Sequence, residues 1–358
     1  MWKSLKDRAE GVKEMKRMKT TEAVGQVLCH DITQIIPGVT KDAVFRKGHI
    51  IREEDIPVLL SVGKDSVYIW ENDETMMHEN DAAEVLYRMT ASEHMHPSDV
   101  KEGKIEAIAD TEGLLKVDRE KLKKVNAFGE MMIATRHGNT VVKKGDKLAG
   151  TRIIPLVIKK DKMQEAEKIC AGTPILKILP FTVKKAAIIT TGNEVYHGRI
   201  KDAFTPVIEQ KIAEFGAEMM FHEIFDDNDK KITDGCLRAI EAGADIVFCT
   251  GGMSVDPDDK TPLAIKNTGA EMISYGSPVL PGAMFLLSYY RKGDKVIPIC
   301  GLPGCAMYNR RTIFDLILPR LMAADPVTAD ELASLGEGGL CLNCKVCTFP
   351  NCGFGKGW

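Results

Sequence analysis

Ten consecutive residues, Thr250-Gly251-Gly252-Met253-Ser254-Val255-Asp256-Pro257-Asp258-Asp259, hold the densest chemistry in this chain. Two adjacent glycines let backbone N–H groups close on an anion, and Thr250 and Ser254 add hydroxyl donors. Three carboxylates follow within four residues. Such a set suits a hard cation such as Mg2+ that bridges protein and phosphate. An anion cradle beside a carboxylate cluster is one reading of the stretch; a glycine-rich turn with a solvated acidic edge is the other.

A second concentration of reactive groups is Cys341-x2-Cys344-x2-Cys347-x4-Cys352, within the last eighteen residues. The first two spacings match the C-x2-C-x2-C-x3-C run of bacterial ferredoxins, and the third is one residue longer. Contiguous thiolates at this spacing favour a [4Fe–4S] cluster over a four-thiolate Zn2+ site, with four free thiols as the remaining alternative. Gly336-Glu337-Gly338-Gly339 before them reads as a flexible linker. The other six cysteines fall in apolar or helical contexts and read as small core residues, Cys305 alone lying near a candidate site.

Strand ends must position the first of these sites. The run Asp245 to Cys249 feeds directly into Thr250, and short apolar runs closed by glycines read as buried strands of a parallel sheet. From Lys185 the alternation of strand and helix is regular. Ala186–Thr190 ends in Thr190-Thr191-Gly192-Asn193-Glu194, and Glu218–Phe225 ends in Asp226-Asp227-Asn228. Thr205-Pro206 reads as a capped helix start and Gly216 as its stop. Lys230–Ala242 reads as a helix, Glu271–Tyr290 as a hairpin around Pro281-Gly282, and Val296–Cys300 as a strand ending in Gly301-Leu302-Pro303-Gly304. One long helix is expected over 305–322. Strand carboxyl ends share one edge in a parallel sheet, so four polar or glycine-rich loops should meet on one rim.

The preceding half reads differently. Residues 1–20 look like a charged arm, and 21–184 a β-rich α+β region of one or two subdomains. Within it, 104–108 and 113–117 are expected as a hairpin, and 119–126 and 162–171 as helices. His30, His49 and the His94-x-His96 pair lack the partner spacing of metal ligands and read as surface or strand-edge groups; Arg136 and His137 are candidates for lining a ligand cleft.

The whole chain sets bounds. With 44% apolar and 28% charged residues and a formal net charge of -3, there is no basic field to recruit nucleic acid or anionic membrane. No apolar run approaches the ~20 residues of a spanning helix, and the amino terminus is not signal-like, so a cytoplasmic protein is expected.

The ordered loops Thr190-Thr191-Gly192-Asn193-Glu194, Asp226-Asp227, Thr250-Gly251-Gly252-Met253-Ser254 with Asp259, Pro281-Gly282 and Gly301-Leu302-Pro303-Gly304 resemble the molybdopterin-binding domain. That domain is shared by molybdopterin adenylyltransferases and molybdotransferases, including gephyrin-type proteins. The resemblance covers roughly 185–322, and the Gly-Leu-Pro-Gly ending places it nearer the molybdotransferases. The amino-terminal half and cysteine tail look like a less common subgroup from anaerobic microbes. The resemblance implies a three-layer α/β domain at 185–325 with a mostly parallel sheet, followed by a linker and Cys-cluster tail at 326–358. It implies that Thr190, Thr191, Gly192, Asn193, Thr250, Gly251, Gly252 and Ser254 cradle phosphate or pterin. Glu194, Pro281, Gly282, Gly301, Pro303 and Gly304 complete that cofactor-binding set. Asp226 and Asp259 would be the catalytic acidic pair that positions Mg2+, with Asp227 second-rank. The ligands implied are molybdopterin or adenylated molybdopterin and molybdate, the assembly a homo-oligomer, and the client a molybdoenzyme.

Two departures stand out. Asp256-Pro257 occupies positions where the family usually has glycine, and Cys305-Ala306 replaces asparagine and proline after Gly304. Both bear on turnover more than on binding. The expectation is an enzyme of molybdenum-cofactor maturation, molybdotransferase-like; the alternative is a non-catalytic carrier or sensor of molybdopterin.

Overall fold

The structure, a computed structural model, describes residues 16–36, 40–69, 73–254, 256–257 and 259–357. Most of the charged arm, the Pro37-Gly38 turn, Trp70, Val255 and Asp258 therefore lie outside the described residues.

The first unit is small. Ile32–Ile36 and Thr40–Phe45 form an antiparallel hairpin, and Arg17–Lys19 pairs with Ser66–Tyr68. Ala23, Leu28, Ile32, Ile51, Leu59, Val67 and Ile69 bury their side chains together beneath them. The next unit wraps a larger core with helices Glu79–Thr90, Arg119–Asn126 and Lys160–Cys170. The expected hairpin here does not form. Lys104–Ala109 pairs with Met95–Pro97 and Lys147–Ile153, whereas Gly113–Val117 pairs with Thr140–Val142 and Leu176–Leu179. Adjacent strands have gone to different sheets, yet both face one core, which holds Ile105 and Ala107 together with Leu115, Val142 and Ile178.

The α/β unit contains the strands and helices that frame the glycine-rich loops. Its elements are β1 (Lys185–Thr191), α1 (Phe204–Ala213), β2 (Glu218–Phe225), α2 (Asp229–Glu241), β3 (Ile246–Thr250) and α3 (Thr261–Asn267). They continue as β4 (Glu271–Tyr275), β5 (Leu286–Lys292), β6 (Lys295–Leu302), α4 (Ile313–Met322) and α5 (Ala329–Ser334). The sheet order is β2-β1-β3-β6-β5-β4, with β1, β2, β3 and β6 parallel and β5 antiparallel to both neighbours.

Alternation along the central strands builds the three layers. Ala186, Ile188, Ile246 and Phe248 join the core of α1 and α4, while Ala187, Ile189, Val247 and Cys249 join that of α2 and α3. Covered on both faces, these strands read as unbroken apolar runs. Phe248 and Phe314 meet edge to face at 5.4 Å, and each such fully buried side chain contributes about 2 kcal/mol of hydrophobic stabilisation.

The single long helix expected over 305–322 is two pieces, a 3-10 turn at Gly304–Met307 and α4. Thr312 is the reason. Its hydroxyl accepts from Phe314 N at 3.2 Å while Asp315 Oδ2 accepts from Thr312 N at 2.8 Å, a reciprocal cap that starts a new helix. The linker is also fixed rather than flexible. Leu280 N donates to Gly339 O and Cys341 N to Leu280 O, both at 2.8 Å, and Phe354 is buried in the α1–α4 core.

Candidate functional site

The loops after β1, β2, β3 and β6 occupy one edge of the sheet, as parallel strands dictate. At its centre β1 and β3 are tied by threonines. Thr191 Oγ1 donates to Thr250 O at 3.1 Å and lies 3.0 Å from Thr261 Oγ1, on the first residue of α3. Gly251 (φ +81) and Gly252 (φ +54) run over this pair. A Cβ at Gly251 would stand 2.1 Å from Thr191 O, and one at Gly252 2.8 Å from Thr261 Oγ1. Only glycine allows the backbone so close. Thr250 Oγ1 is buried beneath them with no hydrogen-bond partner.

The β2 side is built from charge. Asp226 Oδ2 accepts from Lys231 Nζ at 2.8 Å, and the hydrogen bond pushes the lysine's pKa up. Lys231 also lies 5.8 Å over the Tyr196 ring. Asp226 Oδ1 is buried without a partner. Asp227 Oδ2 accepts from Asn193 N at 3.1 Å and so clamps the β1 loop to the β2 loop, while Asn228 caps α2 through Lys231 N at 3.2 Å. Glu194 folds back over Gly192 (φ +133), where a Cβ would meet its carboxylate at 2.9 Å.

The β3 and β6 ends meet through Met253, which is buried with its Cε 2.5 Å from where a Cβ on Gly301 would sit. Tyr275 OH donates to Met253 O at 3.0 Å. Burial, with Asp259 adding, pushes the Tyr275 phenol up. Ser254 and Gly304 are exposed, and Pro303 is buried. Pro281 and Gly282 hold the start of α4, through Ile313 N to Pro281 O at 3.2 Å and a Gly282 Cα packed on Ile313.

Two expectations need correction. Thr190 does not face the rim's ligand side: its Oγ1 lies 2.9 Å from Asp202 Oδ2, 3.1 Å from His222 Nε2 and 3.3 Å from Thr205 Oγ1, in a buried polar knot beside α1. Asp202, not Thr205, caps α1, accepting from Phe204 N at 2.8 Å and Thr205 N at 3.1 Å. Burial pushes the Asp202 carboxyl up, but hydrogen bonds from Thr205, Thr190 and Phe204 outweigh it and hold the group below the usual carboxylate range. Among the described residues no three His, Cys, Asp or Glu side chains form a metal-holding group. Asp226 is paired with Lys231 through Oδ2. In the tail, Cys344 and Cys347 are exposed, and Cys341 and Cys352 are half-buried against the core.

The tail thiols nevertheless border one cavity of about 250 Å3 with Pro281, Arg310 and Arg311. A hydrogen bond from Phe349 N, with Arg311 adding, holds the Cys347 thiol below its usual range. A larger cavity, about 850 Å3, lies away from the rim, between Lys116 and Asn139 of the second unit and Phe215, Leu316 and Arg320 of the α/β unit.

Asp202, His222, Thr261 and Lys231 escaped the sequence reading. A Thr-Pro pair recurs at 205–206 and 261–262, each opening a helix directly beneath a Thr-Gly loop. That repetition was the available signal.

Residues 187–323 match a family model described as the probable molybdopterin binding domain, and 17–71 match a domain of unknown function, DUF8806. A Bacillus cereus protein described as competence-damage inducible is 31% identical over 129 residues, 36% of this chain and 30% of its own length. A protein of the same description from Bacillus velezensis is 32% identical over 85 residues, 24% of this chain and 20% of its own. The chain thus spans less than a third of the curated relatives it matches. Solved structures that align include the tungsten cofactor synthesizing protein MoaB of Pyrococcus furiosus, at 18% identity and TM-score 0.34 over 40% of this chain and 98% of that one. The Mog protein of Mycobacterium ulcerans aligns at 17% identity and TM-score 0.30 over 42% and 99%. Among the described residues no helix is long and apolar enough to cross a membrane.

Proposed function

We propose that the rim binds the phosphate end of molybdopterin or adenylated molybdopterin, and that the protein serves molybdenum-cofactor maturation by supporting molybdate insertion. The observation that carries this is the bare backbone at Gly251-Gly252, pressed onto Thr191 and Thr261 inside the segment that matches the molybdopterin-binding domain. Backbone N–H groups in consecutive positive-φ glycines form an anion-binding concavity, and the partnerless Thr250 hydroxyl lies under it. Gly192, Asn193, Glu194 and Ser254 border the same rim; Pro281, Gly282, Gly301, Pro303 and Gly304 set its floor.

Mg2+ fits this donor set in one way. Asp226 Oδ1 is buried without a partner while Oδ2 holds Lys231, so one carboxylate oxygen is free to ligate. Mg2+ is usually bound by one or two carboxylates, with phosphate and water supplying the rest, and three converging acids are not required. When bound it would neutralise phosphate charge. Asp226 and Asp259 would hold it, and Lys231 would remain at Asp226 as a second positive charge facing the phosphate. A homo-oligomer and a client molybdoenzyme belong to the same proposal. The cavity bordered by the cysteine tail also has Pro281 on its wall.

The second reading is a carrier or sensor that binds without turnover. The Lys231–Asp226 pair favours it, since it already occupies one oxygen of the proposed catalytic carboxylate. Anaerobic titration with molybdopterin and adenylated molybdopterin, with Mg2+ and molybdate, separates the two. Molybdate-dependent AMP release that is lost in Asp259→Asn is the expected result. Tight binding without release assigns the carrier role. Absence of binding by either compound overturns both.

A further inference from the structure

The carboxy-terminal tail is a folded module, not a loose end. Gly355 N donates to Gly338 O at 3.0 Å, Phe354 is buried in the α1–α4 core, and Arg310 Nη1 donates to Lys345 O at 3.1 Å. This folding turns Cys341, Cys344, Cys347 and Cys352 towards one cavity of about 250 Å3, with Arg310 and Arg311 on its wall. The thiols line it without touching. Among the described residues the cysteine pair in sulfur contact is Cys236 and Cys249, at 3.6 Å, far from the tail.

The size of the cavity discriminates between occupants. A tetrahedral zinc with Zn–S bonds of about 2.3 Å fills only the point where its sulfurs converge, and a cavity of about 250 Å3 is far larger than one ion. A four-iron cube takes one thiolate at each iron, and its ligands stand apart at the corners of a larger body. We propose that Cys341, Cys344, Cys347 and Cys352 ligate an iron–sulfur cluster of the [4Fe–4S] type in this cavity.

The surroundings suit such a group. Four thiolates carry excess negative charge, and the two guanidinium groups on the wall offset it. Arg311 is held in place by Asp315 at 2.9 Å and by the Phe349 ring at 4.8 Å. Outer partners of this kind orient ligands and set the electrostatics of a metal site. Cys344 and Cys347 are exposed, so iron and sulfide can reach the site from solvent, each thiol releasing its proton to water on ligation. The proposal is independent of what the rim binds, and either can fail alone.

The test uses the full chain, purified without oxygen and reconstituted with sulfide and equal amounts of ferrous and ferric iron, so that the oxidised cluster assembles without a further oxidant. Iron, acid-labile sulfide and zinc are then measured per chain, with visible absorption before and after dithionite. The expected result is about four iron and four sulfide with a broad visible band that bleaches on reduction. Cys344→Ser and Cys347→Ser, exposed positions that carry no core packing, should each lower bound iron several-fold. Cys29→Ala, in the amino-terminal core, should not. One zinc per chain with no visible band would overturn the cluster in favour of a structural ion. Iron retained equally by both serine variants would overturn the ligand assignment.

Discussion

At the scale of single residues, the buried knot of Thr190, Asp202, Thr205 and His222 couples the first loop of the rim to the first helix. Asp202 receives hydrogen bonds from Thr190 and Thr205 side chains at 2.9 and 2.6 Å and from two backbone N–H groups of the helix start. These bonds favour the charged form and hold its folded pKa below the usual value. The sign of the linkage follows. A carboxyl whose pKa is depressed by folding contributes stability that is fully present above its unfolded pKa of about 3.9, and lost as pH falls through the lower folded value. Asp202→Asn keeps the shape but deletes the charge. Urea melts of both proteins between about pH 6 and pH 2 should show the largest difference near neutrality, narrowing at the acid end. A difference constant across that range would show that Asp202 contributes no charge-dependent stability.

At the scale of elements, the crossing of the β3 loop over the end of β1 is the tightest contact of the rim. Gly251→Ala meets both a left-handed backbone and a carbonyl oxygen 2.1 Å from the new Cβ. Gly145→Ala, in a turn of the second unit, has a similar φ of +87 against +81 and nothing within 4 Å. The first should cost at least about 2 kcal/mol more than the second, because the strand ends must part. Paired thermal or denaturant melts measure the difference, and equal losses would mean the loop yields freely. This crossing also shows how far the sequence could be read. Unbroken runs such as Ala187-Ile188-Ile189 and Val247-Phe248-Cys249 declare strands covered on both faces, and their glycine-rich sequels declare the rim. What the pattern does not carry is side-chain direction at a strand's last residues. Thr190 and Thr191 look alike in sequence, yet one turns into the knot with Asp202 and the other under Gly252. Nor does it carry pairing across distance. Lys231 sits five residues after Asp226 on the next helix, and that contact, invisible to spacing arguments for paired carboxylates, occupies one oxygen of the expected metal ligand. The short α3 was missed for a related reason: Thr261–Asn267 is only two turns, too brief for a helical period to stand out.

At the scale of the whole chain, the tail is where the units meet. Phe354 is buried in the core shared by α1 and α4, Gly355 lies with its Cα beneath Leu316, and Gly357 O accepts from Arg119 Nη1 at 3.3 Å in the second unit. Lys116 Nζ reaches Asp325 Oδ2 at 2.8 Å beside it, and Thr182 N and Val183 N donate to Met322 O at 3.0 and 3.1 Å. The tail therefore lies over a seam that these hydrogen bonds also close, and its anchoring aromatic should hold more than the tail. Phe354→Ala removes a buried ring at a cost of about 3 kcal/mol, most of it local to the seam. Hydrogen exchange should then accelerate in two places, across 336–357 and across helix Arg119–Asn126. Amides of β1 and β3, whose partners lie within the sheet, should be unchanged. Acceleration confined to the tail would mean that Arg119 and Lys116 hold the second unit without it. Acceleration in both, with unchanged binding at Gly251-Gly252, would place the tail's role in the arrangement of units rather than in the rim.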